Sequence, residues 1–380
     1  MLTALVRIDS INSDLASGAA GESAIATWCG EWLTERGFEV TRLESRPGHP
    51  SLIAIARGTG GSSVLLLNAH LDTVGVEGYD GDPFSGTIDA GRLYGRGAFD
   101  TKSGIAAVMV AAARAHAELA LRGDVVLTLV ADEEFGSTGT IESLAHLAAV
   151  GIAPSAAIVV EPSALELTVA HRGFAWFDVE FTGRAAHGSM PDEGVDAIAA
   201  ASTLLRSLDE LRARLQRATP HPLLGHGTVR VSTISGGVDA ATVADRCVLT
   251  VERRTLPDDD LDAVERDLRE LVDRAAASVA GSQATVRRLV ARAAFAAEPQ
   301  SAIVATVADQ VERVLGRPAR RRGEPFWTDA RLVHEAGIPC VVIGADGGGA
   351  HAAREWADTD SVHALEAVLF GVIAKLDQHG

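Results

Sequence analysis

Val64-Leu-Leu-Leu-Asn-Ala-His-Leu-Asp72 is a short apolar run that ends in a histidine and an aspartate. Runs of this length, rich in aliphatics, read as strands buried on both faces. His70 closes this one. The arrangement recurs along the chain. Val125-Val-Leu-Thr-Leu-Val-Ala131 is followed by Asp132-Glu-Glu134, and Ala156-Ala-Ile-Val-Val160 by Glu161. Cys340-Val-Val-Ile-Gly344 is followed a few residues later by His351. Helical stretches over 102–119 and 137–149 separate the first three strands. Strands alternating with helices give a doubly wound α/β sheet. In open sheets of this kind, ligands gather beyond the carboxyl ends of the strands. The pattern therefore sends two imidazoles and several carboxylates to one edge.

Working outward, a helix is expected over 22–36, stopped by Gly37, with strands over 38–43, 51–57 and 63–69. Residues 74–99 read as a polar, glycine-rich loop with turn signals at Asp82-Pro83 and Asp89-Ala-Gly91. The rhythm changes after His171-Arg-Gly173. Strands over 174–181, 228–234, 246–252 and 283–290 and helices over 194–217 and 259–280 follow the order β-α-β-β-α-β, which is ferredoxin-like. From about 296 the first rhythm resumes, with helices over 299–315, 328–336 and 361–376, the last with Ser361 as its N-cap. The expected organisation is a sheet domain, 1–173 plus 292–380, interrupted by a small inserted domain, 174–291.

Composition bounds the function. A chain of 380 residues suits two domains, and 47% hydrophobic residues allow a sizeable core. A formal net charge of −17 argues against nucleic acid and anionic membranes as partners. No apolar run reaches transmembrane length. Arg7, Asp9 and Asp14 interrupt the opening stretch, so no signal-peptide pattern stands there. Cys29, Cys247 and Cys340 are widely spaced, which suits reduced, buried thiols in a cytoplasm.

Five residues are candidate metal ligands: His70, Asp100, Glu134, Glu161 and His351. Taken singly, each has a plainer reading. His70-Leu-Asp72 is a pair found on many surfaces. Asp100 stands where it could cap the helix that follows. Glu133-Glu134 and Glu161-Pro162 could be acidic loop caps, and His351 a loop histidine. Convergence on one sheet edge favours two divalent cations sharing a carboxylate. Asp72 is placed to orient His70, because a metal-bound histidine usually gives its other N–H to a carboxylate; Asp72 could also act through the neighbouring geometry. Glu133 and Glu134 project differently, so one can bind metal while the other faces a bound water.

Taken together and in order, His70-Leu-Asp72, Gly95-Arg-Gly-Ala-Phe-Asp-Thr-Lys102, Asp132-Glu-Glu134, Glu161-Pro162 and Gly349-Ala-His351 resemble the motifs of the dinuclear-zinc aminoacylase and carboxypeptidase family, of M20 type. That family includes acetylornithine deacetylase, succinyl-diaminopimelate desuccinylase and glutamate carboxypeptidase. The resemblance covers essentially the whole chain. It implies a zinc-hydrolase sheet domain with an inserted ferredoxin-like lid that also serves dimerisation. It implies that His70 and Glu161 bind one zinc, that Glu134 and His351 bind the other, and that Asp100 bridges them. Cobalt or manganese could substitute. Glu133 would act as general base and then acid, with Asp72 supporting the metal site. A cis peptide bond is implied between Asp100 and Thr101. Glutamate at 161 resembles the deacylase and desuccinylase members.

The resemblance also bears on the inserted domain. In Gly183-Arg-Ala-Ala-His-Gly-Ser-Met-Pro191, His187 is implied as a stabiliser of the oxyanion, often in the site of a partner subunit. In Glu252-Arg-Arg-Thr-Leu-Pro257, Arg254 is implied as the group that grips a substrate carboxylate, with Arg253 on the other strand face. Two places depart from the family pattern. Ala241 and Ala244 stand where Asn and Pro are common, leaving Thr242 as the polar side chain there. Trp327, in Phe326-Trp-Thr-Asp329, stands where a small or polar residue is usual, either lining a pocket or packing in a core. The expected function is zinc-dependent deacylation of a small N-acyl amino acid by a cytoplasmic homodimer. A dipeptidase or glutamate-carboxypeptidase-like activity is the alternative within enzymes. A non-catalytic binding protein on the same fold is the alternative outside them.

Overall fold

The computed structural model describes residues 1–61 and 63–377. The chain divides into two compact units. The first comprises Met1–Val169, Ala297–Arg322 and Thr328–Gly380, and the second Ala170–Ala296 with Gly323–Trp327. Residues 174–291 lie within the second.

The first unit is built on a mixed sheet. Its strands follow the spatial order Glu39–Leu43, Ser51–Ala56, Asp124–Val130, Val64–His70, Ala156–Val159, Cys340–Val342 and Leu167–His171. Val64–His70 runs parallel to both neighbours, and Cys340–Val342 runs parallel to Ala156–Val159. Glu39–Leu43 and Ser51–Ala56 pair antiparallel because the link between them is too short for a crossover helix. Alternation explains the unbroken apolar runs. Leu65, Leu67, Val125, Leu127 and Leu129 join one core with the helices Ser23–Thr34, Ser103–Glu118, Ala302–Leu315 and Thr359–Asp377. Leu66, Ile53 and Val126 point the other way and are also buried. The four parallel strands all end at the same edge, and His70, Glu133, Glu134 and Glu161 stand at or just beyond three of those ends.

Two expectations need correction. The terminal helix starts at Thr359, and its cap is Asp358, which accepts the Ser361 N–H at 2.8 Å; Ser361 is already in the first turn. The stretch 74–99 is not all loop. Thr87–Asp89 and Arg92–Tyr94 form a hairpin that pairs with Trp356–Asp358, itself paired with Gly347–Gly348. Neither strand is legible locally, since each is three residues long and its partners come from both near and far in the chain. This small sheet ties the segment leading to Asp100 to the segments flanking His351.

The second unit has the expected β-α-β-β-α-β order. Its sheet runs Thr228–Gly236, Arg246–Thr255, Gly173–Thr182, Gln283–Arg292, antiparallel throughout. Asp196 and Asp260 cap its helices Ala197–Arg217 and Leu261–Ala277 through side-chain bonds to first-turn amides. Phe177, Phe181, Leu249 and Val251 pack against Leu204, Leu208, Leu268 and Val272. Residues of opposite parity, among them Phe174, Trp176, Glu252 and Arg254, lie on the sheet face away from these helices.

Among the described residues, no helix is long and apolar enough to cross a membrane. The Asp100–Thr101 peptide is cis.

Gly344 couples the core to the strand ends. A Cβ there would stand 2.0 Å from the Glu161 carbonyl oxygen, a backbone atom with no freedom to move aside. Gly344→Ala is therefore expected to cost about 1–3 kcal/mol of stability and to displace Glu161. Denaturant unfolding of the two proteins checks this; an unchanged midpoint would contradict it.

Candidate active site

Five side chains meet at the strand ends as two groups that share a member. Donor atoms of His70, Asp100 and Glu161 lie within 4.8 Å of one another, as do those of Asp100, Glu134 and His351. His70 Nε2 is 3.2 Å from Asp100 Oδ1 and 3.8 Å from Glu161 Oε2. His351 Nε2 is 3.4 Å from Asp100 Oδ2 and 3.1 Å from Glu134 Oε2. Asp100 thus turns one oxygen to each histidine. A tetrahedral ion with bonds of roughly 2.0–2.1 Å holds its ligand atoms about 3.3 Å apart, so these spacings fit a divalent cation in each group.

The electrostatics point the same way. Burial, Glu161 and Asp329 push the Glu133 carboxyl well above its ordinary range. Burial, then Asp100 and other carboxylates, raises Glu161 against the pull of His70. Burial and Asp100 likewise raise Glu134. Hydrogen bonds that the His351 ring donates to Asp100 and Glu134 lift this histidine to about 10. Burial disfavours the His70 cation, but Glu161 and Asp100 outweigh it and raise that group well above normal. Carboxylates that oppose one another's ionisation beside histidines drawn into the cationic form make a strongly negative pocket. Oxygen and nitrogen donors in such a field suit zinc, cobalt or manganese.

The surrounding bonds fix the donors. His70 Nδ1 lies 2.9 Å from the main-chain oxygen of Asp72. A carbonyl only accepts, so Nδ1 carries the proton and Nε2 is left to face the cluster. Asp72 was expected to orient His70 through its carboxylate; that role falls to its carbonyl. The carboxylate accepts the amide N–H groups of Glu133 and Glu134, each at 3.1 Å, and so sets the adjacent pair. Asn12 Nδ2 reaches both Asp72, at 2.9 Å, and Asp132, at 3.1 Å. Arg46 joins Asp132 to Asp14, so the acidic group of Asp14, His49 and Asp132 already holds a guanidinium.

Glu355 was not anticipated. It is 1% exposed, and its carboxylate accepts N–H groups from Gly97, Phe99 and Asp100, each at 2.9 Å, and from Arg96 at 2.8 Å. Arg96 also donates to the Ala352 carbonyl. One buried pair thereby holds the Asp100 turn and the His351 loop together. Asp100 does not cap the following helix; it sits in an irregular turn before Ser103–Glu118. Asp329 was also missed. Burial pushes it up to about 6, while Thr140 donates to it at 2.5 Å. The available signals were Arg96 inside the glycine motif, Glu355 four residues past His351, and Asp329 closing Phe326-Trp-Thr-Asp329.

His187 and Arg254 lie in the second unit. His187 is exposed on a loop that pairs with Thr242, and its Nδ1 is 2.7 Å from Ser189 Oγ. Arg254 is ion-paired to Glu252 at 2.9 Å and lies over the Phe174 ring. Arg253 is buried on the opposite strand face near Asp259. Trp327 is half-buried, packs edge-on to His171 and Phe174, and donates its indole N–H to the Ala293 carbonyl.

Residues 66–375 match the model of peptidase family M20/M25/M40. The chain belongs to this family. It is 32% identical over 340 residues to an acetylornithine deacetylase of Myxococcus xanthus, covering 85% of this chain and 83% of that protein. It is 31% identical over 352 residues to a succinyl-diaminopimelate desuccinylase of Cereibacter sphaeroides, covering 90% of each. Its fold matches a dinuclear metal-binding M20 peptidase of Bacillus subtilis, with TM-score 0.75 and 18% identity over 99% of this chain and 96% of that one. This M20 chain is a hydrolase of amide bonds, in a family that depends on metal.

The Glu355 contacts generate a prediction. In Glu355→Gln, an amide NH2 replaces one acceptor and faces N–H donors, so the Asp100 turn loses part of its anchor. Metal affinity should fall about 10–100-fold, read by calorimetric titration of zinc into metal-stripped protein. Wild-type affinity in the variant would show that Glu355 does not position the site.

Proposed function

We propose that this M20 chain removes the acyl group from a small N-acyl amino acid, with His70 and Glu161 holding one zinc ion, Glu134 and His351 a second, and Asp100 shared. The observation that carries this reading is the Asp100 carboxylate, which offers one oxygen to each group of donors. When bound, the ions would acidify a water and polarise the scissile carbonyl. Glu133 takes the proton from the attacking water and returns it to the leaving nitrogen. Its raised affinity for a proton, caused by burial, Glu161 and Asp329, suits that exchange. Asp72 keeps Glu133 in place through the main-chain amide. His187 donates to the oxyanion, and Arg254 grips the substrate's α-carboxylate, for which its fork geometry is fitted. The names of the deacetylase and desuccinylase relatives support deacylation over peptide cleavage.

The same reading includes a homodimer formed through the inserted domain. Thr228–Gly236 is an edge strand, and it and the following turn expose Ile234 and Val238 at 53% and 79%. It also includes a cytoplasmic setting, supported by three buried cysteines, all of them free.

Glu133→Gln should retain both metals and lose about two to four orders of magnitude in kcat. Near-normal turnover by a metal-loaded variant would remove Glu133 from the mechanism. Arg254 is tested on an N-acyl amino acid and its carboxamide. Wild type should strongly prefer the free acid, and Arg254→Ala should lose most of that preference. A preference undiminished in the variant would mean that another residue reads the carboxylate.

A further inference from the structure

The surroundings of Arg254 restrict the side chain of the amino acid it would hold. Cross-strand register places Thr228, Arg254, Phe174 and Arg292 in one row of the second unit's sheet, and Arg230, Glu252, Trp176 and Val290 in the next. These rows carry three guanidinium groups and one carboxylate. Arg172 adds a fourth cation, held below its ordinary range by burial and by Arg254 nearby. Glu252 is 4% exposed and has partners at both oxygens. It accepts the Trp176 indole N–H at 3.1 Å and Arg254 Nε at 3.0 Å, and its other oxygen takes Arg230. In these rows, an incoming ammonium group therefore meets one carboxylate, already paired with two guanidinium groups.

Aromatic faces could in principle receive a cation. Two of the three are already covered. The Arg254 guanidinium lies 5.4 Å from the Phe174 ring centre, and that of Arg292 lies 5.9 Å from Trp327. The third, Trp176, shares Glu252 with Arg254 and Arg230, so an ammonium laid on its ring meets two guanidinium groups. Trp176 is 40% exposed and sits 5.1 Å from Phe174, which meets Trp327 edge-on at 6.5 Å.

We propose that this surface rejects basic amino acids: the residue gripped at Arg254 carries a side chain without positive charge, and an apolar one rests on the exposed ring surface. The inference rests on the reading that Arg254 holds the α-carboxylate. The side chain leaves the same carbon as that carboxylate and starts about 2.5 Å from it. It must therefore lie against what surrounds Arg254: ring surface that favours apolar groups, and guanidinium groups that repel a like charge. Ornithine and diaminopimelate both carry an amine on the side chain. This chain would depart from relatives named for those substrates.

The test compares kcat/KM of the zinc-loaded, full-length enzyme on N-acetyl-L-phenylalanine, N-acetyl-L-leucine and N-acetyl-L-ornithine, and on Gly-L-Phe against Gly-L-Lys. The neutral side chain should win by about tenfold or more within each hydrolysed set. Arg292→Glu should narrow the ratio by giving the ammonium a partner, and Trp327→Ala should lower turnover of the phenylalanine substrate more than that of ornithine. Equal or better turnover of the ornithine substrate by wild type would overturn this inference and leave deacylation standing. Hydrolysis of Gly-L-Phe over Gly-L-Lys, with no N-acetyl amino acid cleaved, would uphold the inference and overturn deacylation. Hydrolysis of neither set would overturn both.

Discussion

Several carboxylates held close together out of water cannot all ionise unless positive charge sits among them. Asp100, Glu133, Glu134 and Glu161 are in that position, with Asp72 and Asp329 buried close by. A fold gains nothing in stability from this arrangement, since each buried, like-charged group costs free energy. The two histidines supply the complementary donors. The spacing of the donor atoms matches the edges of two coordination tetrahedra that share Asp100.

The strands fix only part of the site. His70 and Glu161 stand at or beside strand ends, whereas Asp100 and His351 lie in segments without regular structure. Glu355 and Arg96 supply what the sheet cannot: one carboxylate gathers three main-chain amides and a guanidinium across some 250 residues of sequence. On the other side of the cluster, Asp72, Asn12, Asp132 and Arg46 form a chain of bonds that ends beneath Glu133 and Glu134. Buried polar groups in both networks meet partners of opposite character, which rigidifies the site.

The parallel strands and the inserted β-α-β-β-α-β unit were legible in the sequence because their signals are local: unbroken aliphatic runs and a change of rhythm after Gly173. The clustering of the five side chains was legible because each sits at or near a strand end or inside a glycine motif. The hairpin at 87–94 was not, since its strands are three residues long and one partner arrives from residue 356. Glu355 escaped for a related reason: its role consists entirely of contacts distant in sequence. Asp72 was legible as a neighbour of His70, but the atom that accepts was not. Choosing between its carbonyl and its carboxylate as the acceptor for His70 requires the geometry of the turn.

The reading divides the labour between the two units. The first concentrates negative charge at the strand ends, and the second carries guanidinium groups and aromatic rings on one sheet face. The claim on which everything else stands is that the acidic cluster holds two divalent ions. Native mass spectrometry of metal-stripped chain titrated with zinc measures it directly. The account predicts saturation at two ions per chain in wild type, with Asp100→Ala failing to reach two. Saturation at one ion or none in wild type, or an undiminished two in Asp100→Ala, would contradict it.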